Sequence, residues 1–342
     1  MRATQRWTTL VAGGAAALMM GLAGCASAGP ADTSASGNGG EGGGEEIRIG
    51  ALYLDSQGYY GGVKKGVQEA AAASGLNVKL VESSSAGDVA KESSFMSSLV
   101  SSGVSAIIIS AVSTDGSVAA VKQAADAGIP VICYNTCVNE EATEQYVYAY
   151  ILGDPIEFGR LAGDYAADFY TDKGVEDPKF GVLNCEQFEV CQQRMDGFTQ
   201  GLQAKLPKAE VVSNQEGTEA DKAISVGEQT LTANPTITGM YGQSGGATVG
   251  AFKSVQNRDL TGTVFAFGSD MTTDIATALG EGEVLQAVVD ISGIEVGELA
   301  FAQAKGAIDG ETAAEKVIQA PITLYTPDMA AEWLETHPDG LP

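Results

Sequence analysis

Residues 104–135 read VSAIIISAVSTDGSVAAVKQAADAGIPVICYN. Two apolar runs, VSAIIISAV and IPVICYN, flank the amphipathic segment VAAVKQAADAG, so the stretch reads as strand, helix, strand. A run such as AIIIS has no polar face, and strands of that kind belong in a parallel sheet covered on both sides.

Working outward, the same unit repeats every 25 to 30 residues or so. Upstream, IRIGALYL leads into YYGGVKKGVQEAAAASG, where Val63, Val67, Ala70 and Ala71 share a helix face and Gly75 stops the helix. NVKLVES is the next strand and AKESSFMSSLVSSG the next helix. Downstream, the pattern restarts after QYVYAYILGD, with KFGVLN, AEVVSNQ, TITGMY, GTVFAFG and EVLQAVVD separated by helices. The fold class is therefore α/β, with two doubly wound parallel-sheet domains. Such sheets bind ligands beyond the carboxyl ends of their strands. In this chain those ends are Asp55 to Tyr60, Asn135 to Cys137, Asp154, Cys185 to Gln192, Gln243 to Gly245, Gly268 to Asp270 and Asp290 to Ser292.

The beginning of the chain bears on location. Arg2 and Arg6 precede an apolar run from about Leu10 to Leu22, too short to span a bilayer, so residues 1–24 read as a signal peptide. LAGC, Leu22 to Cys25, resembles a bacterial lipobox, which implies cleavage before Cys25 and a lipid on its sulfur, anchoring the protein outside the cytoplasm at the cell membrane. Residues 25–46, with SASGNGGEGGGEE, have almost nothing to bury and read as a flexible linker. Removing residues 1–24 deletes two arginines and no acids, so 17 basic residues face 44 acidic ones and the mature charge is −27. That surface excludes nucleic acid as a partner and suits a soluble, monomeric domain pair. No G-x-x-x-x-G-K-[ST] occurs, and no cofactor is expected.

Export makes disulfides plausible for the four remaining cysteines, Cys133, Cys137, Cys185 and Cys191. Of three connectivities, Cys133 to Cys137 with Cys185 to Cys191 is the local one. Idle thiols are the alternative. A zinc site fits poorly, because the spacings are loose and the sole histidine, His337, is distant in sequence.

With these elements in order, the chain from Ile47 to about Tyr325 resembles the type I periplasmic binding proteins of the ribose-binding kind, solute receptors of ABC sugar importers. The resemblance is carried by IGALYLDSQGYYGGVKKGVQEAA, SSGVSAIIISAVSTDGSVAAVKQAADAGIPVI, RMDGFTQGL, FGSDMTTDIATAL and VLQAVVDISGIEVGELA. It implies two lobes, residues 47–153 with 291–318 and residues 154–290 with 319–342, joined by three crossing segments that close on a sugar. Hinges are expected near Gly153-Asp154, Asp290-Ile291 and Ile318 to Ala320. The resemblance also assigns candidate ligand contacts. Tyr59 and Tyr60 stand where the family stacks an aromatic pair on a sugar ring. Asn135-Thr136 replaces a common Asp-Arg. Gln192 takes the place of a contact arginine, with Arg194 in a more structural role. Ser244 stands for a ligand-binding asparagine, Asp270 for a conspicuous aspartate, and Asp290 lies near a glutamine. Two lost arginines favour a neutral sugar or polyol. The implied partner is an ABC permease, and a sensor of the same fold is the alternative.

Two expectations remain. Gly242-Gln243-Ser244-Gly245-Gly246 fits the nucleophile elbow of a serine hydrolase, between TITGMY and ATVGAFKSVQ. A triad would need His337, at the far end of the sequence, so no enzyme is expected and Ser244 reads as a strand-end hydroxyl. Asp270 and Asp290 show no arginine or lysine partner in the expected site, and Asp270 is suited to cap the helix in MTTDIATALG.

Overall fold

The computed structural model describes residues 46–56 and 58–342. The expected signal peptide, Cys25 and the expected linker up to residue 45 lie outside the described residues. Among those described, no helix is long and apolar enough to cross a membrane.

The first sheet takes β1 (Ile47–Tyr53), β2 (Val78–Ser84), β3 (Ala106–Ile109), β4 (Val131–Tyr134) and β5 (Ala149–Leu152), with β11 (Val317–Gln319) added at one edge, in the order β11-β5-β4-β3-β1-β2. The second takes β6 (Lys179–Asn184), β7 (Glu210–Glu216), β8 (Gly239–Gly242), β9 (Phe265–Ser269) and β10 (Leu285–Asp290), with β12 (Thr323–Tyr325), in the order β12-β10-β9-β8-β6-β7. The second order repeats the first. Only β12 runs antiparallel to its neighbour.

Helices cover both faces of each sheet. α1 (Gly58–Ala73) and α10 (Gly293–Ile308) pair on one face of the first sheet, with α2 (Val89–Ser101), α3 (Val118–Asp126) and α4 (Glu140–Tyr146) on the other. This sandwiching explains the apolar run of β3. Ile108 packs into the α1–α10 side, Ile107 and Ile109 into the opposite side, and all three are fully buried. In the second lobe α5 (Pro155–Asp172) pairs with α6 (Glu189–Lys205), and α7 (Ala220–Ala233) with α8 (Gly245–Asn257). α9 (Thr273–Glu281) packs with α11 (Ala330–Thr336).

The chain passes between sheets three times, at residues 153–154, 291–292 and 320–322. These passages touch. A Cβ placed on Gly153 would lie 2.4 Å from Ile291 Cδ1 and 3.3 Å from Ile322 Cγ1, so the side chains of the other two passages pack directly on this glycine. Ile291 and Ala320 carry one apolar cluster across both lobes.

The end of the chain touches both lobes. Pro338 cannot continue α11, and Gly340, at φ +68°, turns the backbone back toward the first lobe. There Ile294 N–H donates to Pro342 O at 2.9 Å and Lys65 Nζ pairs with Asp339 Oδ2 at 2.6 Å. Residues 339–342 therefore touch α1 and α10 of the first lobe as well as the start of α9 in the second, where Gly340 lies against Thr273.

Candidate functional site

Three strand ends of the first lobe meet through hydroxyls. Tyr59 and Tyr60 occupy the first turn of α1, half-buried, their rings edge-on at 5.2 Å. Asn135 follows β4 with φ +56°, and its Nδ2 donates to Tyr60 Oη at 2.8 Å. Its carbonyl accepts from Tyr150 Oη on β5 at 2.7 Å. Tyr60 also bonds Ser110 at the end of β3. Ser110 in turn bonds Thr136, whose hydroxyl donates to Ala111 O at 2.7 Å. Burial pushes the phenols of Tyr59 and Tyr60 well above the usual tyrosine range, so both stay neutral donors.

The second lobe contributes charge. Arg194, buried on α6, lays its guanidinium carbon 4.0 Å from the Phe158 ring centroid and donates through Nη1 to Gln243 O at 2.9 Å. The same nitrogen is 4.0 Å from Asp270 Oδ1, and Nε has no hydrogen-bond partner. Asp270 Oδ2 accepts from Gly245 N, the first residue of α8, at 2.8 Å, where the helix dipole favours a negative charge. Burial pushes its carboxyl above the usual carboxylate range, while Arg194 and the Gly245 N–H pull it back down. Asp290, at the end of β10, accepts from Met271 N at 2.9 Å. Burial, followed by repulsion from Asp270, pushes its carboxyl up to about 7.

The halves face one another. Tyr59 lies within electrostatic reach of Arg194 and Asp270, and a Cβ on Gly58 would stand 4.0 Å from Thr272 Cγ2. Tyr59, Tyr60, Asn135, Asp270 and Asp290 thus surround one region between the sheets.

Three expectations need correction. Asp270 has a cationic neighbour, Arg194, which the sequence reading left in a structural role. Gln192 is exposed, and its Nε2 donates to Glu186 O in its own loop at 2.9 Å. Two residues along an α-helix are rotated by about 200°, so Gln192 and Arg194 cannot share a face, and Arg194 has the inward one. Nor does Asp270 cap the following helix: Thr272 does, accepting from Ile275 N at 3.3 Å, while Asp270 reaches across to α8. Ser244 is the N-cap of α8, its Oγ accepting from Ala247 N at 3.4 Å. Sequence reasoning also missed Tyr150, Phe158 and Ser110. Arg194 alone had a local signal, the RMDGF phrase.

Cys133 is bonded to Cys137 and Cys185 to Cys191. Among the described residues no group of three histidine, cysteine or acidic side chains is placed to hold a metal.

Comparison with known proteins agrees with this architecture. A family model described as a periplasmic binding protein domain matches residues 51–312. The chain belongs to the periplasmic binding protein family. It is 52% identical over 299 residues to the ABC transporter periplasmic-binding protein YphF of Escherichia coli (strain K12), covering 87% of this chain and 91% of that one. It is 26% identical to the ribose import binding protein RbsB of the same organism, over 68% and 75% of the two chains. Among solved structures, a periplasmic solute binding protein from Actinobacillus succinogenes with bound D-allose superposes with a TM-score of 0.76 at 20% identity, covering 84% of this chain and 99% of that one. As a periplasmic binding protein the chain is a solute receptor and not an enzyme. His337 accordingly has a packing role, its ring stacked 4.5 Å from Trp333 and its Nδ1 shared with Thr336 and Trp333 O.

Proposed function

We propose that this periplasmic binding protein captures a neutral sugar or polyol between its lobes and delivers it to an ABC permease from outside the cytoplasm, tethered by lipid on Cys25. The observation that carries the reading is the opposition of a tyrosine pair, Tyr59 and Tyr60, to the Arg194–Asp270 pair. An aromatic face takes the apolar face of a sugar ring, and a carboxylate accepts from two neighbouring hydroxyls at once. Asn135 adds an amide, and Asp290, protonated or not, adds a further acceptor. The names of relatives support the class, since RbsB is a ribose import protein and YtfQ of Escherichia coli, 28% identical, a galactofuranose-binding protein.

The lobes of this reading are residues 47–153 with 291–318 and residues 154–290 with 319–342, turning about the three passages that meet at Gly153. A ligand that touches both halves only when they are shut stabilises the closed form by its differential affinity. The test is a thermal-shift screen against pentoses, hexoses, polyols, amino acids and nucleosides. A ligand at a hundred times its dissociation constant adds about 2.7 kcal/mol of stability. A hit among sugars or polyols is expected, and a response to amino acids alone would refute the reading.

A further inference from the structure

Among the described residues each lobe carries one cystine, and each stands directly behind a residue of the candidate site. Cys133 is the third residue of β4, and its bridge to Cys137 encloses only Tyr134, Asn135 and Thr136. Within that ring Thr136 N–H donates back to Tyr134 O at 2.6 Å, the closure of a γ-turn with Asn135 at its centre and φ +56°. That is the strained form of the turn, and such conformations persist only where the surroundings over-determine them. The turn aims the Asn135 amide at Tyr60 and its carbonyl at Tyr150.

In the second lobe Cys185 follows β6 directly, and Cys191 is the third residue of α6. The N-cap residue of α6, Phe188, makes no side-chain capping bond. The first turn is held by the bridge instead, and Arg194 comes one turn later. Cys185 N–H also donates to Gln243 Oε1 at 3.2 Å, and Gln243 O is the acceptor for Arg194, so the bridge fixes both partners of that bond.

Neither bridge suits a role in global stability. The sequence separations are 4 and 6, and the constraint a disulfide places on the unfolded chain grows with loop length, so these loops are at the weak end. All four half-cystines are at most 5% exposed, so surface chemistry is not their role.

We propose that the two cystines are positioning residues for the binding site: Cys133–Cys137 holds Asn135, and Cys185–Cys191 holds Arg194, in the geometry that meets the ligand. This rests on the reading that the cleft between the lobes binds a sugar or polyol. Pre-organisation of this kind acts on affinity by removing the ordering cost of binding.

The experiment compares the full chain with C133A/C137A and with C185A/C191A. Hydrogen exchange on the ligand-free proteins should accelerate in residues 131–137 for the first variant and 184–195 for the second, with both proteins folded. The best sugar or polyol from the thermal-shift panel should bind each variant about tenfold more weakly. Asn135→Ala, which should itself weaken binding, should add less than about twofold in the C133A/C137A background, because the turn no longer aims the side chain. Unchanged exchange in those segments, unchanged affinity, or loss of the folded state in both variants would overturn the proposal. A wild-type protein that binds no sugar or polyol would refute the functional reading alone, since the exchange experiment still decides the positioning role.

Discussion

The two halves of the candidate site are built from different chemistry. The first lobe presents neutral groups, Tyr59, Tyr60, Asn135, Ser110 and Thr136, joined hydroxyl to hydroxyl. The second presents one cation and two carboxylates, Arg194, Asp270 and Asp290, with Gln243 behind them. Neutral hydrogen bonds each contribute roughly 1 kcal/mol net, whereas groups that hydrogen-bond a buried charge contribute about twice that and leave a large penalty when broken. In the proposed reading, the first half sets the orientation of a ligand and the second sets most of its affinity and pH dependence.

That division can be broken in graded steps. The largest effect belongs to Arg194→Ala, which leaves Asp270 and Asp290 with no opposing charge and Gln243 O without its donor. Affinity for the best sugar should fall about a hundredfold, and denaturant unfolding should show a loss of about 3 kcal/mol. An affinity within about twofold of wild type would return Arg194 to a purely structural role. Next comes pH. Burial and Asp270 raise the Asp290 carboxyl from 3.8 to about 7 in the folded protein, with Glu295 acting in the same direction and Arg194 and the Met271 N–H against it. Tyr325, on β12, is the other ionisable group facing it. A carboxyl that holds its proton more tightly when folded contributes stability that is complete below about 4 and is lost as the pH rises through about 7. The ligand-free protein should thus lose a few kcal/mol over that window, at about 1.4 kcal/mol per unit, and Asp290→Asn should flatten the slope. An unaltered slope in the variant would show that Asp290 does not titrate there.

Effects in the neutral half should be smaller. Tyr60→Phe removes the bonds to Asn135 and Ser110 and should weaken binding about fivefold by calorimetry, with no change in its pH dependence. Gln192→Ala should do least. Exposed on the outer side of α6, it should leave affinity within about twofold and stability within 0.5 kcal/mol or so, and a larger loss of affinity would mean that the loop closed by Cys185–Cys191 reaches the ligand directly.

The same contrast explains what could be read from the sequence. The sheets were legible because a strand buried on both faces has no polar residue to interrupt it, as Ile107, Ile108 and Ile109 show. Tyr59 and Tyr60 were legible because they lie just beyond the end of β1, where the family resemblance places an aromatic pair. The charged half was harder to read. Which of Gln192 and Arg194 faces inward depends on where α6 starts, and that start is set by a bridged loop without a capping side chain. Asp270 bonds the start of α8 and not its own helix, and its left-handed backbone, φ +64°, leaves no local mark in the sequence. The helix α4, EEATEQY, has no apolar stripe to announce it, and the return of residues 339–342 to α1 depends on long-range packing that no local pattern encodes.

Titration calorimetry of Asp270→Asn with the best sugar or polyol tests most directly the claim that the charged half grips the ligand. Asparagine can still accept from Gly245 N–H, so the fold should persist while the charged bonds to ligand hydroxyls are lost. The account predicts an affinity at least about tenfold weaker in a protein that melts within a few degrees of wild type. Unchanged affinity would contradict it, and would leave Asp270 as no more than an acceptor for the start of α8.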